Sequence, residues 1–207
     1  MRAILGILLF ASMSFAQITT FAQFHQTADG FKRPFEWTNL NPTGAPGGYL
    51  AYDADGFFDP IQFRFLVSQS AGLNKIEANV TFDAYTDNVV TVWAGMYLLR
   101  LDYGRITIRR NSGDFGILLD SYFKNGIFSA IIGSRGATLQ FSTAGGSDVQ
   151  YTSSVLTFGG RNDFTFSFTG IQPGLSLAPN RQFNNFSMDG AGSFSSDAAI
   201  PIALKMW

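Results

Sequence analysis

Apolar and polar residues alternate in short runs along the chain from about residue 60 onward. The odd positions of residues 61–67 are apolar, the even positions of residues 76–82 are apolar, and residues 164–168 read Phe-Thr-Phe-Ser-Phe. A period of two is the signature of a strand with one buried and one solvated face. Helical spacing is sustained nowhere. We therefore predict a protein built from half-buried β-strands.

The breaks between these runs predict the fold class. Gly-Gly and Pro-Gly pairs interrupt the alternation, and the Asn-, Pro- and Gly-rich segment 38–48 predicts a loop. Further strands are predicted near residues 89–94, 137–142, 151–158, 175–178, 186–194 and 199–205. About ten short strands without intervening helices are typical of a two-sheet β-sandwich of jelly-roll or Greek-key kind. We expect a single all-β domain over residues 17–207.

Two tight turns are predicted, one at Asn125-Gly126 and one at Tyr103-Gly104. The first aligns Phe123 with Phe128 and Leu119 with Ile132; the second aligns Asp102 with Arg105, Leu101 with Ile106, Arg100 with Thr107 and Leu99 with Ile108. In both hairpins apolar residues face apolar ones and polar residues face polar ones. A slip of one residue would place leucine beside arginine, so the pattern favours these registers.

The second hairpin predicts a basic ridge. Arg100, Arg105 and Arg109 lie on its polar face together with Asp102 and Thr107. Such a ridge is a candidate binding site for anionic sugars. The alternative is an ordinary solvated sheet face with cross-strand charge pairs.

The first 16 residues are typical of a signal peptide. A charged start is followed by the apolar residues 3–10 and by Ser14-Phe15-Ala16, a small-x-small cleavage site. The apolar run is shorter than the roughly 20 residues that cross a bilayer. We expect cleavage after Ala16, secretion or display at the cell surface, and no transmembrane helix in the mature chain.

The composition narrows the chemistry. The chain has no cysteine, which excludes thiol catalysis, cysteine zinc sites and iron–sulfur clusters. Its 14 basic and 15 acidic residues leave it nearly neutral, which argues against nucleic acid as a partner. Without disulfides, stability must come from a large apolar core, and 22 phenylalanines are available for it.

Catalytic signals are weak. The one histidine, His25, would need a nucleophile on a rigid turn, and no G-x-S-x-G motif is present. We favour a surface or edge position for His25. Trp37, Trp93 and Trp207 are candidate platforms for sugar rings, although the apolar run around Trp93 favours core packing for that residue.

Residues 53–59 contain the best local cluster of oxygen ligands. Asp53, Asp55 and Asp59 surround Gly56 and offer carboxylates to a calcium ion. The glycine stands at the fourth position instead of the sixth, and no glutamate closes the loop as in an EF-hand. We therefore expect an acidic turn and no cofactor, with a calcium site as the alternative.

Two stretches are similar to a known family. Residues 59–68, which read DPIQFRFLVS, together with the strand at 76–82, resemble the central part of bacterial exported proteins of the PEP-CTERM, exosortase-dependent group. So do residues 162–197, which include NDFTFSFTGIQPGLSLAPNRQFNNFSMDGAGSFSSD. The resemblance implies a surface or matrix β-sandwich protein without assigned activity. Residues 199–207 depart from the family's Pro-Glu-Pro motif, apolar helix and basic tail, which leaves sorting by that route open.

Together these features favour a secreted or cell-surface β-sandwich without catalytic activity, with polysaccharide or other surface proteins as candidate partners. One alternative is a carboxylate-based carbohydrate-active enzyme on a jelly roll, which the scarcity of glutamate disfavours. The other is a small outer-membrane β-barrel, which the alternating strands and the final Trp207 favour and the short strands disfavour.

Overall fold

The computed structural model describes residues 17–26, 33–52, 60–66, 76–110 and 116–201. These residues form fourteen β-strands and one short 3₁₀ helix, Thr143–Gly145. The strands are β1 Thr19–Gln26, β2 Phe35–Asn39, β3 Gly48–Tyr52, β4 Pro60–Phe65, β5 Ile76–Thr86, β6 Thr91–Trp93, β7 Met96–Arg110, β8 Ile117–Ile131, β9 Ala137–Ser142, β10 Asp148–Thr152, β11 Leu156–Phe158, β12 Asn162–Gln172, β13 Phe186–Ser196 and β14 Ala199–Pro201. The predicted all-β, sandwich-like fold is confirmed.

Twelve strands form one antiparallel sheet, and β11 and β14 form a second, small one. The order of the large sheet is β1-β4-β5-β3-β2-β13-β12-β9-β8-β7-β6, with β10 on β8. Two additional pairings, β1 with β13 and β5 with β7, connect the sheet into a closed circuit. The layers of the sandwich are therefore joined by backbone hydrogen bonds as well as by side-chain packing.

Phenylalanine fills the core, as the composition predicts. Phe82 of β5 contacts Phe166 of β12 with ring centroids 4.9 Å apart, although these strands are not hydrogen-bonded neighbours. Among the described residues, the largest fully buried side chains are Phe21, Phe24, Phe35, Phe63, Phe123, Phe141, Phe164, Phe166, Phe168, Phe183, Phe194 and Leu50. Edge-to-face and offset contacts between such rings add to the free energy gained by burying their area.

Both predicted hairpins are wrong. Tyr103-Gly104 lies within β7 and Asn125-Gly126 lies within β8, and these two strands pair with each other along nearly their whole length. Leu101 lies opposite Gly126 instead of Ile106. Phe123 lies opposite Gly104, and Leu119 lies opposite Ile108.

A reversal in the phase of the alternation explains the error. Leu99 and Leu101 are buried at odd positions of β7, whereas Ile106 and Ile108 are buried at even positions. The facing strand β8 reverses its phase at the same level, beside Asn125, whose φ is 59°. A reversed phase gives the same palindromic pattern of apolar residues as a tight turn, so the pattern alone does not distinguish them.

Most of the other predicted strands are present in the structure, and one is not. Strands form close to most predicted positions, and the loop predicted at 38–48 occupies residues 40–47 between β2 and β3. The strand predicted at 175–178 is wrong, because that segment makes only an isolated bridge between Leu177 and Phe183. Core packing of Trp93 is also wrong. Its side chain is 67% exposed, whereas Trp37 is 2% exposed.

Some predictions fall outside the described residues: the signal peptide at residues 1–16, the calcium cluster of Asp53, Asp55 and Asp59, and Trp207. Across the described ranges, no helix is long and apolar enough to cross a membrane.

Candidate functional site

Four neighbouring strands, β3, β5, β7 and β8, present an outer face rich in tyrosine. Pairing places Tyr49 of β3 opposite Tyr85 of β5, Tyr85 opposite Tyr103 of β7, and Tyr103 opposite Lys124 of β8. Tyr122 of β8 lies one row away, opposite Arg105. We call Tyr49, Tyr85, Tyr103 and Tyr122 the tyrosine face.

The rings of the tyrosine face are accessible. Tyr103 is 48% exposed, Tyr122 41% and Tyr49 36%, while Tyr85 is half-buried. The rings of Tyr85 and Tyr103 lie 5.6 Å apart between centroids and are inclined by only 32°. Tyr49 lies on the next strand, opposite Tyr85, and neighbouring strands are about 4.8 Å apart, so the three tyrosines form one row, which we call the aromatic strip.

Hydrogen bonds fix this strip at one margin. The Tyr85 hydroxyl donates to Oδ1 of Asp87 at 2.9 Å, and the backbone N–H of Asp87 donates to Oδ2 of Asp102 at 2.9 Å. Asn88 Nδ2 donates to Oδ1 of Asp102 at 2.7 Å. The bond to Asp87 raises the pKa of Tyr85 above its usual value, and partial burial followed by the charge of Asp83 raises the pKa of Tyr49. Both phenols are therefore neutral and able to donate hydrogen bonds at physiological pH.

An ion pair lies beside the rings. Nε and Nη2 of Arg105 donate to the two carboxylate oxygens of Asp120, each at 2.8 Å, and the Thr107 hydroxyl donates to the same carboxylate at 2.8 Å. The hydrogen bond from Arg105 holds the pKa of Asp120 below its usual range. Asp83, directly across from Arg105 on β5, has a raised pKa because partial burial outweighs the attraction of Arg105.

Arg100, Arg105 and Arg109 are all exposed on the outer side of β7. The chain runs straight through the predicted turn, so they are spread along one strand, with their Cα atoms about 16 Å and about 13 Å apart. Arg100 donates to the side chain of Asn125, and Arg105 is paired with Asp120. The compact ridge predicted from the hairpin is therefore absent. The three arginines do face solvent, as the alternation of polar and apolar residues predicts.

A depression lies elsewhere on the molecule, on the outer side of β4, β1, β13 and β12. It has a volume of about 310 Å³ and is lined by Gln23, Phe24, His25, Arg64, Thr165, Ser167, Ala191, Gly192 and Ser193. Arg64 Nη2 donates to Gln23 Oε1 at 2.5 Å. His25 is exposed here, in agreement with the predicted surface position. None of the described residues that line this groove carries a carboxylate.

Metal binding finds no support among the described residues, where no three His, Cys, Asp or Glu side chains are placed to hold an ion. The predicted calcium cluster at residues 53–59 lies outside those residues.

Sequence reasoning missed the tyrosine face. Tyr49 lies in a strand that was not predicted, and Tyr85 lies beyond the predicted end of its strand. The only available signal was that each tyrosine occupies a solvent-facing position in the apolar–polar alternation of its own strand. Their convergence depends on the pairing of four strands from distant parts of the chain.

Comparisons of the chain with models of known protein families, with curated proteins and with solved structures found no match.

Proposed function

We propose that this is an exported protein of the cell surface or extracellular matrix that binds polysaccharide on the tyrosine face and has no catalytic activity. The observation that carries the proposal is the outward row of tyrosines on three adjacent strands. The proposed export rests on the predicted signal peptide and on the partial resemblance to exported surface proteins.

The chemistry of the face suits sugar rings. A tyrosine ring offers an apolar surface that packs against the C–H groups of a pyranose, while its hydroxyl stays available for hydrogen bonding. Arg105, Asp83 and Asp120 border the rings and provide donors and acceptors for sugar hydroxyls. An apolar platform with a few convergent polar groups is the usual composition of a small-molecule site.

The charge balance favours neutral polysaccharides over the anionic sugars suggested by the predicted ridge. Four carboxylates and four cations are interleaved on and around the face: Asp83, Asp87, Asp102 and Asp120 with Arg100, Arg105, Arg109 and Lys124. Such a balance does not create the positive field that would attract a polyanion. Lys124 also lies over the ring of Tyr122, with Nζ 5.6 Å from the centroid.

The test is affinity electrophoresis and calorimetry with soluble β-glucan, mannan and xylan. We expect at least one of these to bind, and Tyr103→Ala to weaken binding about tenfold, which corresponds to the roughly 1.4 kcal/mol that one well-placed ring provides. Binding should persist in 1 M salt. The Debye length falls to about 3 Å there, which weakens association driven by charge but not the packing of sugar rings on tyrosine.

Trp93→Ala is the matched control, since it removes an exposed ring outside the tyrosine face. It should bind as the parent does. Equal binding by Tyr103→Ala and the parent, or binding only to acidic polymers with loss at high salt, would contradict the proposal.

A carboxylate-based glycoside hydrolase is the second candidate. The observation that favours it is the opposite displacement of two pKa values around Arg105, upward for Asp83 and downward for Asp120, as in an acid and base pair. Release of reducing ends from the bound polysaccharide, abolished in both Asp83→Asn and Asp120→Asn, would support it. Binding without release supports the non-catalytic proposal.

A further inference from the structure

One end of the sandwich is formed by four segments, residues 40–47, 89–96, 131–136 and 173–185, and we call it the β6 end. Backbone hydrogen bonds tie the segments together. The N–H of Ile132 donates to Gly95, that of Val90 donates to Arg181, and that of Asn180 donates to Pro42, at 2.9–3.2 Å. The segments therefore form one contiguous surface.

Large apolar side chains are concentrated at this end. Trp93 is 67% exposed, Ile131 63%, Val92 54%, Leu40 52% and Ile132 44%. Trp93 and Ile131 flank Met96 on consecutive strands. Every residue of β6 is exposed, so both sides of this edge strand face solvent, whereas Tyr97 on the paired strand β7 packs against Phe183 of the core. An exposed cluster of this kind usually marks a contact surface.

The charges of the β6 end have a single sign. The four segments contain no aspartate or glutamate, and their only charged residues are Arg135 and Arg181. Both side chains are exposed, and neither has an ion-pair partner among the described residues. The nearest acid along the chain, Asp87, is bonded to Tyr85 and lies at the border of the β6 end, where its Oδ1 is 3.6 Å from the position that a Cβ on Gly47 would take.

We propose that the β6 end docks on an anionic lipid surface. Trp93, Val92, Ile131 and Ile132 enter the boundary between headgroups and acyl chains, a zone that tryptophan favours because its ring is apolar and its N–H is polar. Arg135 and Arg181 contact lipid phosphates. Apolar burial combined with attraction to anionic headgroups is the usual basis of peripheral membrane binding.

An exposed apolar edge strand with positive charges nearby suits a lipid surface better than a protein partner. Stable protein interfaces have a closely packed core that excludes water and a polar rim in which charges are complemented. The β6 end offers exposed apolar side chains and two cations, Arg135 and Arg181, that have no ion-pair partner among the described residues. This inference does not depend on polysaccharide binding by the tyrosine face.

The experiment is sedimentation of the whole protein with vesicles of phosphatidylcholine, with and without phosphatidylglycerol. We expect binding to the vesicles that contain phosphatidylglycerol and quenching of Trp93 fluorescence by brominated lipid. The measurement uses a Trp207→Phe background, because the chain has three tryptophans, and Trp37, at 2% exposed, is shielded from the lipid. Trp93→Ser should lower vesicle binding at least tenfold while leaving the unfolding transition unchanged, because the side chain is largely exposed.

Two further variants separate the apolar and charge contributions. Arg135→Gln with Arg181→Gln should abolish the preference for phosphatidylglycerol and the salt sensitivity of binding. Ile200→Ser is the matched control, because Ile200 is 61% exposed beyond the opposite end of β13 and should not matter.

Absence of binding by the parent, or equal binding by parent and Trp93→Ser, would overturn the proposal; a surface that docks a protein partner would give the first result. Polysaccharide binding measured on the same variants should be unchanged, so the two proposals fail independently.

Discussion

Asp83 and Asp120 lie on either side of Arg105 on β7 and differ in environment. Asp120 accepts two hydrogen bonds from the guanidinium and one from Thr107, and its carboxylate form is favoured. Asp83 is directly across from Arg105 but is partly desolvated, and its charged form is disfavoured. Two carboxylates of equal charge are therefore expected to make opposite contributions to stability.

We predict that Asp120→Asn lowers the free energy of unfolding by about 1 kcal/mol or less at pH 7, because Arg105 is more than half exposed and the pair is screened by solvent. The pKa of Asp120 is lower in the folded than in the unfolded chain, where it is about 3.9. The stabilisation is thus complete above that value and is lost as the pH falls through the folded pKa. Urea unfolding of the parent and the variant at pH 7 and at a series of pH values below about 3.9 should show the difference between them shrinking as the pH falls.

Asp83→Asn is the control, since it removes the same charge on the other side of Arg105. Its folded pKa is raised, so removal of the charge should leave stability at pH 7 unchanged or increased. Equal losses in the two variants would show that only the net charge of the face matters.

At the scale of the element, β7 and β8 share an unusual feature. In each strand the buried residues change from odd-numbered to even-numbered positions, and the two changes lie opposite each other in the paired strands. Asn125 adopts a left-handed φ of 59°, a conformation that asparagine tolerates better than most residues. Gly126 follows it and points at the core, where an added Cβ would lie 1.9 Å from Cε1 of Phe141. Glycine is thus required at position 126 by close packing instead of by the positive φ of a tight turn.

Gly126→Ala should destabilise the protein by about 1–3 kcal/mol, the usual cost of overpacking a core. Phe141 is fully buried between Phe123 and Phe164, with ring centroids 4.1 Å and 4.4 Å away, and has little room to move. Thermal unfolding should show a lower midpoint. Gly160→Ala is the control, because nothing lies within 4 Å of its added Cβ. Coincident melting curves for the two variants would rule out the close contact.

At the scale of the whole molecule, β1 joins two parts of the sheet. It pairs with β4 on one side and with β13 on the other, and it contributes Phe21 and Phe24 to the core. Loss of β1 would leave the facing edges of β4 and β13 without hydrogen-bonding partners. It would also leave a cavity in the core where Phe21 and Phe24 pack. Unpaired edges are sites of aggregation.

A chain that starts at Arg33 should therefore aggregate or expose its core, whereas a chain that starts at Gln17 should fold. Size-exclusion chromatography and the binding of a hydrophobic dye distinguish these outcomes. A monomeric, cooperatively unfolding chain from Arg33 would show that β1 is dispensable for the fold.

The alternation of apolar and polar residues was sufficient to predict an all-β protein, most of its strands after residue 60 and its phenylalanine core. It also predicted the exposed phase of Arg100, Arg105 and Arg109. These properties depend on which side of a strand a residue occupies, and the two-residue period reports that directly.

The tertiary structure alone decided which strands are neighbours. Two strands with matched phase reversals and two tight hairpins share one binary pattern, so the long β7–β8 pair was not accessible from the sequence. The tyrosine face depends on pairing between β3, β5, β7 and β8, and Trp93 is exposed because β6 lies at the edge of the sheet and buries neither of its sides. Partner choice is set by long-range packing and loop closure, about which a local period carries no information.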